Sequence, residues 1–279
     1  MSQQPPKGEF SDVDRAGDPR YYVACLDAQH AMGFFQAYKQ RTFALLGIRP
    51  SSRILDVGCG TGDDTIAMAQ LVGPDGEAVG LDSSQTMIEE AERRALAAGL
   101  RVTFAQGDAF QLPFGENEFD GCRADRTFQH LRDPQRALSE MVRVLKRGGR
   151  LVIADPDHES HVLDTPYPEV TRRFFAFRAS TFQAGGIAHQ LYALFQACGL
   201  VDVTVEAATR VDTDFAAINA IMHFDGGMRM AQQHGVVTAA EADVWIAYVE
   251  EAANAGRFFH AVTHFITTGT KPEAPSGHK

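Results

Sequence analysis

A glycine-rich segment behind a hydrophobic run is the part of the sequence that most directly suggests ligand chemistry. The segment ILDVGCGTGDDT (54–65) places Gly58, Gly60 and Gly62 two residues apart. Glycine permits the positive φ angles of tight turns and, because it lacks a Cβ, lets a ligand approach the backbone. Such a loop is expected at the edge of a sheet where parallel strands end, which is also where ligands bind in open α/β sheets. The segment therefore predicts a binding site at that edge.

The glycine spacing and the acids around it favour a nucleoside over a dinucleotide. A NAD fingerprint has the pattern G-x-G-x-x-G, whereas here Asp63 stands where the last glycine would be. Asp63 and Asp64 also begin the next helix, where two carboxylates would repel a pyrophosphate. Asp82 ends the second predicted strand and can accept hydrogen bonds from both ribose hydroxyls. The alternative is that Asp82 only caps the following helix, for which Ser83 is also available.

Two candidate general bases follow the fourth and fifth predicted strands. His130 lies just beyond the fourth strand and Asp155 ends the fifth. Because adjacent parallel strands end at one edge, both residues are expected to face the ligand, and a histidine beside a carboxylate suits proton transfer near neutral pH. The alternatives are a packing or capping role for His130 and a solvated turn before Pro156 for Asp155.

Other histidines have simpler interpretations. His158 and His161 are three residues apart in DHESH (157–161), and as metal ligands they would need a third partner, so a polar loop is preferred and no metal site is predicted. His260 and His264 share one face of the last predicted strand, which we expect a helix to cover. Asp108 ends the third strand and either meets an adenine amino group or, more simply, serves in a turn.

Aromatic residues near both ends of the chain are candidates for an apolar substrate pocket. Tyr21 and Tyr22 precede a helix expected to begin near Asp27 and could fold across a ligand. His223 and Phe224 lie in a helical segment that could also reach a substrate. The alternative for any single aromatic residue is an ordinary place in a helix core.

Alternating strands and helices must position these residues, which predicts an α/β fold with a doubly wound parallel sheet. The predicted strands are 52–58, 77–82, 101–108, 118–124 and 149–155, and the predicted helices between them are 63–71, 83–99 and 133–148. After Asp155 the pattern predicts an irregular stretch (156–188), a helix (189–200), a strand (201–211), a helical insertion (213–256) and a last strand (257–270).

This pattern predicts a single domain over 19–270. It has a helical cap (19–48), a binding core (50–155), a substrate and lid region (156–256) and a last strand (257–269), with loose ends at 1–18 and 271–279.

The bulk composition excludes several classes of protein. The chain has 279 residues, a formal net charge of −10 and 44% hydrophobic residues. The acidic charge argues against nucleic-acid partners, which usually need a basic face. No apolar run is long enough to span a membrane, and the polar start does not resemble a secretory signal. The four cysteines form no C-x-x-C pair, which favours a reduced, cytoplasmic setting.

Five ordered segments within about 40–155 resemble the class I S-adenosylmethionine-dependent methyltransferases. They are ILDVGCGTG, VGLDSSQTMIEEA, GDAFQLPFGENEFD, RTFQHLRDPQRALSEMVRVLKRGG and LVIADP. The resemblance is to the small-molecule group that includes ubiquinone/menaquinone-biosynthesis and natural-product methyltransferases (types 11 and 25). It implies a seven-stranded, mostly parallel sheet with an antiparallel last strand. KRGG replaces the usual Lys-Pro-Gly-Gly of the family, which changes a turn.

The resemblance also implies a cofactor, a reaction and a set of site residues. The cofactor is S-adenosylmethionine, and the reaction is O- or C-methylation of a natural product, quinone or sugar-like acceptor by in-line displacement. The alternative is a non-methyl-transferring or non-catalytic protein that binds the same cofactor. The implied cofactor residues are Asp56, Gly58, Cys59, Gly60, Gly62, Asp82, Ser83, Met87, Gly107, Asp108, Ala109 and Arg126.

Overall fold

A computed structural model describes residues 13–15 and 18–273. The loose ends predicted at 1–18 and 271–279 lie mostly outside these residues. Val13–Arg15 are an exception, since they form a 3-10 turn that packs against the domain with Val13 buried. The Asp14 carboxylate accepts hydrogen bonds from the Ser84 hydroxyl at 2.6 Å and the Gln85 amide at 2.8 Å.

The described residues form one eight-stranded sheet in the order β3-β2-β1-β4-β5-β8-β6, with β7 paired to β8. Strands β1 to β5 are mutually parallel, and β6, β7 and β5 all pair with β8 in antiparallel fashion. The strand bounds are β1 (Arg53–Val57), β2 (Glu77–Asp82), β3 (Thr103–Gln106), β4 (Phe119–Asp125), β5 (Leu145–Pro156), β6 (Val162–Leu163), β7 (Val201–Asp212) and β8 (His260–Thr270). The predicted fold class is confirmed, with the two-residue β6 added to the seven strands expected.

Ten α-helices in the described chain cover the sheet and its carboxyl edge. Their bounds are α1 (Pro19–His30), α2 (Gly33–Leu46), α3 (Asp63–Val72), α4 (Gln85–Ala97), α5 (Pro134–Val144), α6 (Pro168–Thr181), α7 (Ile187–Ala197), α8 (Phe215–Met222), α9 (Phe224–Gln233) and α10 (Ala239–Asn254). One hydrophobic cluster joins α5 and α7 to one face of the sheet, and another joins α2 and α3 to the opposite face. No helix in the described ranges is both long and apolar enough to cross a membrane.

A third hydrophobic cluster belongs to the helices after the fifth strand. Phe174 of α6, Phe224 and Met228 of α9 and Trp245 of α10 pack together and are almost fully buried. The Trp245 indole N–H donates to the Thr171 hydroxyl at 2.9 Å, so this buried polar atom is paired. Helices α6, α8, α9 and α10 therefore form a lid with a core of its own.

Three predicted boundaries are wrong for identifiable reasons. Helix α5 ends at Val144 instead of continuing to 148, because Leu145 already pairs with Phe119 of β4. The stretch 156–188 is not irregular, since it contains β6 and all of α6. Helix α1 begins at Pro19 and not near Asp27, with the Asp18 carboxylate accepting from the Arg20 amide at 3.1 Å as its N-cap.

Candidate active site

A cavity of about 1030 Å³ opens at the carboxyl edge of the parallel strands. Its floor is formed by the loops after β1, β2, β3, β4 and β5, and its cover by α1 and the lid. The cavity has two halves. The first lies near the glycine loop and is lined by residues that include Gly58, Gly60, Asp82, Met87 and Asp108, and the second lies near the lid and is lined by residues that include His130, His158, His161, Phe182 and Arg210. Tyr21, Leu26 and Gln29 of α1 lie above both halves. The volume is at the upper end of what small-molecule and cofactor sites usually occupy.

The first half is built around the loop after β1. Gly58 and Gly60 line the cavity with φ angles of +74° and +52°. A Cβ at Gly58 would overlap the Thr127 side chain, and one at Gly60 would lie 3.1 Å from Leu26 of α1. The loop therefore needs glycine both for its turn and for the close approach of its surroundings.

Gly62 has a different role from the one predicted. It is the N-cap of α3, and a Cβ there would collide with Ala91 of α4 and Phe104 of β3. The described residues that line the cavity include Gly60 and Thr61 but not Gly62. This glycine lets α3 and α4 pack closely on the sheet, and its part in cofactor binding stays a prediction.

Asp82 holds the glycine loop in place from the end of β2. Its Oδ2 accepts from the Gly60 amide at 2.9 Å, and its Oδ1 accepts from the Ser84 amide at 2.9 Å. Burial raises the pKa of Asp82, and these two amides act in the opposite direction. Ser84, and not Ser83, is the N-cap of α4, because its hydroxyl accepts from the Met87 amide at 3.2 Å. Asp82 therefore does more than cap the following helix, because it also binds the Gly60 amide of the glycine loop.

The remaining predicted cofactor residues line this half of the cavity as well. Met87 is buried, and Asp108 is an exposed turn residue whose carboxylate accepts from the Phe110 amide at 2.8 Å. This half also includes Asp56, Cys59, Ser83, Gly107, Ala109 and Arg126.

A buried charge cluster supports this half from below. Arg123 of β4 donates to Asp56 at 3.1 Å and to Asp64 at 3.0 Å, and Lys39 of α2 donates to Asp64 at 2.9 Å. Arg123 is also 3.4 Å from Asp125. Burial alone would raise the pKa of Asp64, but Arg123 and Lys39 hold it below the ordinary value; burial raises the pKa of Asp56. Arg126 Nε lies 3.5 Å from Asp125 Oδ2. We call Lys39, Asp56, Asp64, Arg123, Asp125 and Arg126 the charge cluster.

His130 and Asp155, the two predicted bases, occupy unlike positions. His130 lines the cavity, and burial together with the charge of Arg126 lowers its pKa to about 4. Asp155 is fully buried, and its carboxylate accepts from the Phe128 and Gln129 amides at 3.2 Å each. Burial raises the pKa of Asp155 well above its usual range. Of the described residues at the end of β5, Pro156 lines the cavity and Asp155 does not, so the latter positions the 128–130 turn.

Three histidines lie in a row along the second half of the cavity, with their ring nitrogens facing one another. His158 Nε2 is 2.6 Å from Gln129 Oε1, and His158 Nδ1 is 3.5 Å from His161 Nε2. His161 Nδ1 is 2.9 Å from His260 Nε2, and His260 Nδ1 is 2.9 Å from Asp212 Oδ2. We call His158, His161 and His260 the histidine chain, with Gln129 and Asp212 as its ends.

Aromatic stacking fixes the orientation of two of these rings. The His158 ring stacks on Phe182 with centroids 3.8 Å apart, and the His161 ring stacks on Phe175 at 4.5 Å. DHESH forms a loop between β5 and β6, as predicted, and both of its histidines line the cavity. Within 13–15 and 18–273, no group of three or more His, Cys, Asp or Glu residues is arranged to hold a metal ion.

Residues of α1 and the lid meet across the cavity mouth. The Tyr21 hydroxyl is 2.7 Å from His223 Nε2, at the junction of α8 and α9, and both residues line the cavity. Tyr22 instead packs in a small cluster with Val13 and Met87, and Phe224 is 1% exposed in the lid core. Neither Tyr22 nor Phe224 is among the described residues that line the cavity. Of the four predicted substrate residues, two therefore face the site and two are core.

His260 and His264 share one buried face of β8, as predicted. His260 joins the histidine chain, whereas the His264 ring lies within 6 Å of the rings of Phe34, Phe35 and Tyr38 of α2. His264 also lines the cavity.

Comparisons with known proteins place the chain in a family. A family model for a methyltransferase domain matches residues 48–196. An uncharacterised 37.1 kDa protein in a transposon of Streptomyces fradiae is 35% identical over 247 residues, covering 88% of this chain and 70% of that protein. The chain belongs to the methyltransferase domain family.

Two further matches describe the range of the resemblance. A demethylmenaquinone methyltransferase of Bacillus cytotoxicus is 38% identical over 118 residues, covering 42% of this methyltransferase and 50% of the relative. The chain thus matches about half the length of that curated relative. The YcgJ protein of Bacillus subtilis superposes with a TM-score of 0.60 at 21% identity, covering 86% of this chain and all of that one, which shows a shared fold.

The cofactor of this methyltransferase is S-adenosylmethionine, and the residues of the first half fit it. The open loop at Gly58 and Gly60 leaves backbone accessible beside the half-buried carboxylate of Asp82. The carboxylates of Asp63 and Asp64 at the start of α3, which would repel a pyrophosphate, are instead paired with Arg94, Arg123 and Lys39. Because cations of the protein compensate both carboxylates, these acids do not by themselves exclude a pyrophosphate.

Sequence reasoning missed several residues of the second half. Gln129, Arg178 and Arg210 line the cavity, and none of them carries a motif. The spacing of His158 and His161 was visible, but their partner His260 lies 99 residues beyond His161 in the sequence. The aromatic residues of 174–182 were the available indication that this segment packs against the site.

Proposed function

We propose that this methyltransferase transfers a methyl group to an oxygen or carbon atom of a small hydroxylated acceptor of the natural-product, quinone or sugar-like type. The observation that carries the proposal is the continuity of the cavity. Its cofactor half at the ends of β1 and β2 opens directly into a half lined by aromatic rings, histidines and arginines. A cofactor and an acceptor of modest size can therefore lie end to end.

The residues of the first half would bind and orient the cofactor. The Gly58–Gly60 backbone would face its methionine portion, and Asp82 would accept hydrogen bonds from its ribose while holding the Gly60 amide. Met87, Asp108 and Ala109 would border the adenine. S-adenosylmethionine supplies an activated methyl group, so the protein contributes mainly by positioning.

The residues of the second half favour a planar acceptor with polar substituents. Phe177, Phe182, Met222 and Met230 supply apolar surface, and Arg178, Arg210 and the histidines supply hydrogen-bonding groups. Pockets of this composition bind ligands through apolar contact and select them through a few polar groups. The demethylmenaquinone methyltransferase relative supports a quinone-like acceptor as the first class to test.

The experiment is a methyl-transfer assay against hydroquinones, phenols and sugar-like alcohols, followed by mass spectrometry of the products. We expect one acceptor class to gain the mass of a methyl group in place of a hydrogen, together with formation of S-adenosylhomocysteine. Cofactor consumption without a methylated product would support the alternative, a protein that uses the same cofactor for another reaction.

A pair of variants tests where the acceptor binds. Phe182→Ala removes a ring from the cavity wall, so it should raise KM for the acceptor while calorimetry shows unchanged affinity for S-adenosylhomocysteine. Phe259→Ala is the matched control, because Phe259 is 39% exposed and is not among the described lining residues. Equal effects of the two variants would contradict the assignment of the second half to the acceptor.

A further inference from the structure

The two ends of the histidine chain are both hydrogen-bond acceptors. The Gln129 side-chain amide donates to the Arg126 carbonyl at 3.1 Å, which turns its oxygen towards His158. The Asp212 carboxylate oxygen that faces His260 also accepts from Arg210 Nε at 3.0 Å. Neither end can therefore supply a proton to the ring that it faces.

When all three imidazoles are neutral, the histidine chain has fewer N–H groups than links. Its four links are Gln129–His158, His158–His161, His161–His260 and His260–Asp212. Each link needs one N–H, and each neutral imidazole carries one, so three protons serve four links. One link must consist of two facing lone pairs.

The distances identify the link that lacks a proton. Three links measure 2.6, 2.9 and 2.9 Å, whereas His158 Nδ1 and His161 Nε2 are 3.5 Å apart. A separation of 3.5 Å is longer than an ordinary N–H hydrogen bond. The neutral chain then has its N–H groups at His158 Nε2, His161 Nδ1 and His260 Nδ1, each of which serves a short link.

The surroundings keep this link free of a proton near neutral pH. Burial, followed by the charge of Arg178 on α6, lowers the pKa of His158 well below its ordinary value; burial, His158 and His260 do the same for His161. His130 after β4, His264 on β8 and Arg210 on β7 also lower the pKa of His158, whereas Asp212 at the far end raises that of His260. His158 and His161 nevertheless line the cavity, His158 as a buried residue and His161 as a partly buried one.

We propose that the His158–His161 link is the proton acceptor of methyl transfer, taking up the hydroxyl proton of the acceptor. The inference rests on the proposed function, in which a hydroxylated acceptor is methylated. As the bond between the acceptor oxygen and the methyl carbon forms, the sulfonium–carbon bond breaks and its electron pair stays on sulfur. The O–H electron pair stays on oxygen, and the proton joins the link, from which it later leaves to solvent.

His260 and Asp212 are positioning residues in this proposal. His260 donates to Asp212, so its Nε2 accepts from His161 Nδ1 and leaves His161 Nε2 as a lone pair. When the link gains a proton, the positive charge can shift along the chain towards the Asp212 carboxylate, which stabilises it. The histidine chain thus has a proton-accepting link beside the cavity and a carboxylate, Asp212, at its far end.

The first test needs no acceptor and uses the wild-type protein with S-adenosylhomocysteine bound. Nitrogen-15 NMR of labelled histidines near neutral pH should show Nε2–H on His158 and Nδ1–H on both His161 and His260. On acidification the three rings should shift together with one apparent pKa, because they share one added proton. Nε2–H on all three rings would overturn the proposal, since the link would already hold a proton.

The second test compares His161→Gln with His189→Gln. His161→Gln removes the base but keeps a polar side chain, and it should lower turnover by roughly 10²- to 10⁴-fold, the range typical of a lost general base. The loss should shrink as pH rises, because the acceptor then ionises without help. His189 pairs with Asp157 at 2.8 Å outside the described cavity lining, so its variant should retain turnover.

The outcomes separate this inference from the proposed function. Normal turnover of His161→Gln on a hydroxyl acceptor would overturn the base assignment and leave methyl transfer intact. Failure of the wild-type protein to methylate any acceptor would contradict the proposed function, and the NMR tautomers would still report whether the link is open. Calorimetry with S-adenosylhomocysteine shows whether each variant keeps a folded cofactor site.

Discussion

The two halves of the cavity rest on buried polar networks of opposite character. Under the cofactor half, Lys39, Arg123 and Arg126 face Asp56, Asp64 and Asp125, so in this described cluster three cations meet three carboxylates. Under the acceptor half, three histidines lie between two hydrogen-bond acceptors.

The first network balances its charges and the second lacks one proton. The difference indicates that one network fixes geometry and the other is able to change its protonation.

The largest effect should come from breaking the balanced network. Arg123→Met removes the cation shared by Asp56, Asp64 and Asp125 and leaves buried carboxylates without their main partner. We expect a loss of about 3–5 kcal/mol in the free energy of unfolding, measured by denaturant titration.

The matched control for this variant is Arg41→Met on α2. Arg41 pairs with Glu206 at the surface, with about half of its side chain exposed. Water screens an exposed ion pair, so this variant should lose far less stability than Arg123→Met. Similar losses in the two variants would mean that burial does not make the charge cluster important.

Asp82→Asn tests the cofactor half without disturbing the charge cluster. An amide cannot accept from both the Gly60 and Ser84 amides, so the glycine loop should loosen. Affinity for S-adenosylhomocysteine should fall by about 1.5–3 kcal/mol, the usual range for a hydrogen bond to a charged group. Asp75→Asn, in the exposed turn before β2, should keep the wild-type affinity by calorimetry.

The pH dependence of stability should distinguish the two networks. Burial first of all lowers the pKa of His130, His158, His161, His260 and His264 from 6.5. Below that pH the unfolded chain binds protons that the folded chain does not, so the free energy of unfolding should fall as pH falls. Each histidine contributes a slope of about 1.4 kcal/mol per pH unit until its folded pKa is reached.

In the charge cluster, Asp64 has a lowered pKa and keeps its charge to lower pH. Burial raises the pKa of Asp56 to about 6, so below this pH the folded chain binds a proton there and offsets part of the histidine slope; Asp82 and Asp155, whose pKa values burial also raises, act in the same direction. His264→Phe sharpens the test, because this ring lies among Phe34, Phe35 and Tyr38 and should accept an aromatic replacement. In the His264→Phe variant, the slope of the free energy of unfolding against pH should be smaller by the contribution of one histidine. A wild-type stability that is flat below pH 6.5 would contradict the buried neutral histidines.

The smallest effect should come from breaking the contact between Tyr21 and His223 at the mouth of the cavity. Tyr21→Phe removes the hydroxyl that contacts His223, an exposed interaction worth about 0.5–1.5 kcal/mol. KM for the acceptor should rise by roughly tenfold or less, with little change in kcat. Tyr192→Phe on the exposed face of α7 is the control, and an equal change there would argue against closure through Tyr21.

The cofactor half could be predicted from sequence because its chemistry is local. Gly58, Gly60 and Asp82 are recognisable from spacing and from their places behind strands, and the structure puts all three at one edge. Gly62 shows the limit of this approach, since a glycine in the same motif is required by Ala91 and Phe104 instead of by a ligand. Spacing predicts the turn but does not say which neighbour requires it.

The acceptor half could not be predicted because its groups come from distant segments. Gln129 lies 29 residues before His158, and His161 lies 99 residues before His260, so these contacts leave no local pattern in the sequence. Asp155 was placed correctly at the end of β5, but only the fold shows that its carboxylate faces the Phe128 and Gln129 amides. Side-chain direction at a strand end depends on tertiary packing.

Helix α1 contacts both halves of the cavity at once. Leu26 lies against Gly60 of the cofactor loop, and five residues earlier in the helix Tyr21 contacts His223 of the lid. A ligand that orders α1 against either side reduces the entropy that the other ligand must still remove. Cofactor and acceptor should therefore strengthen each other's binding, by the same factor whichever of them binds first.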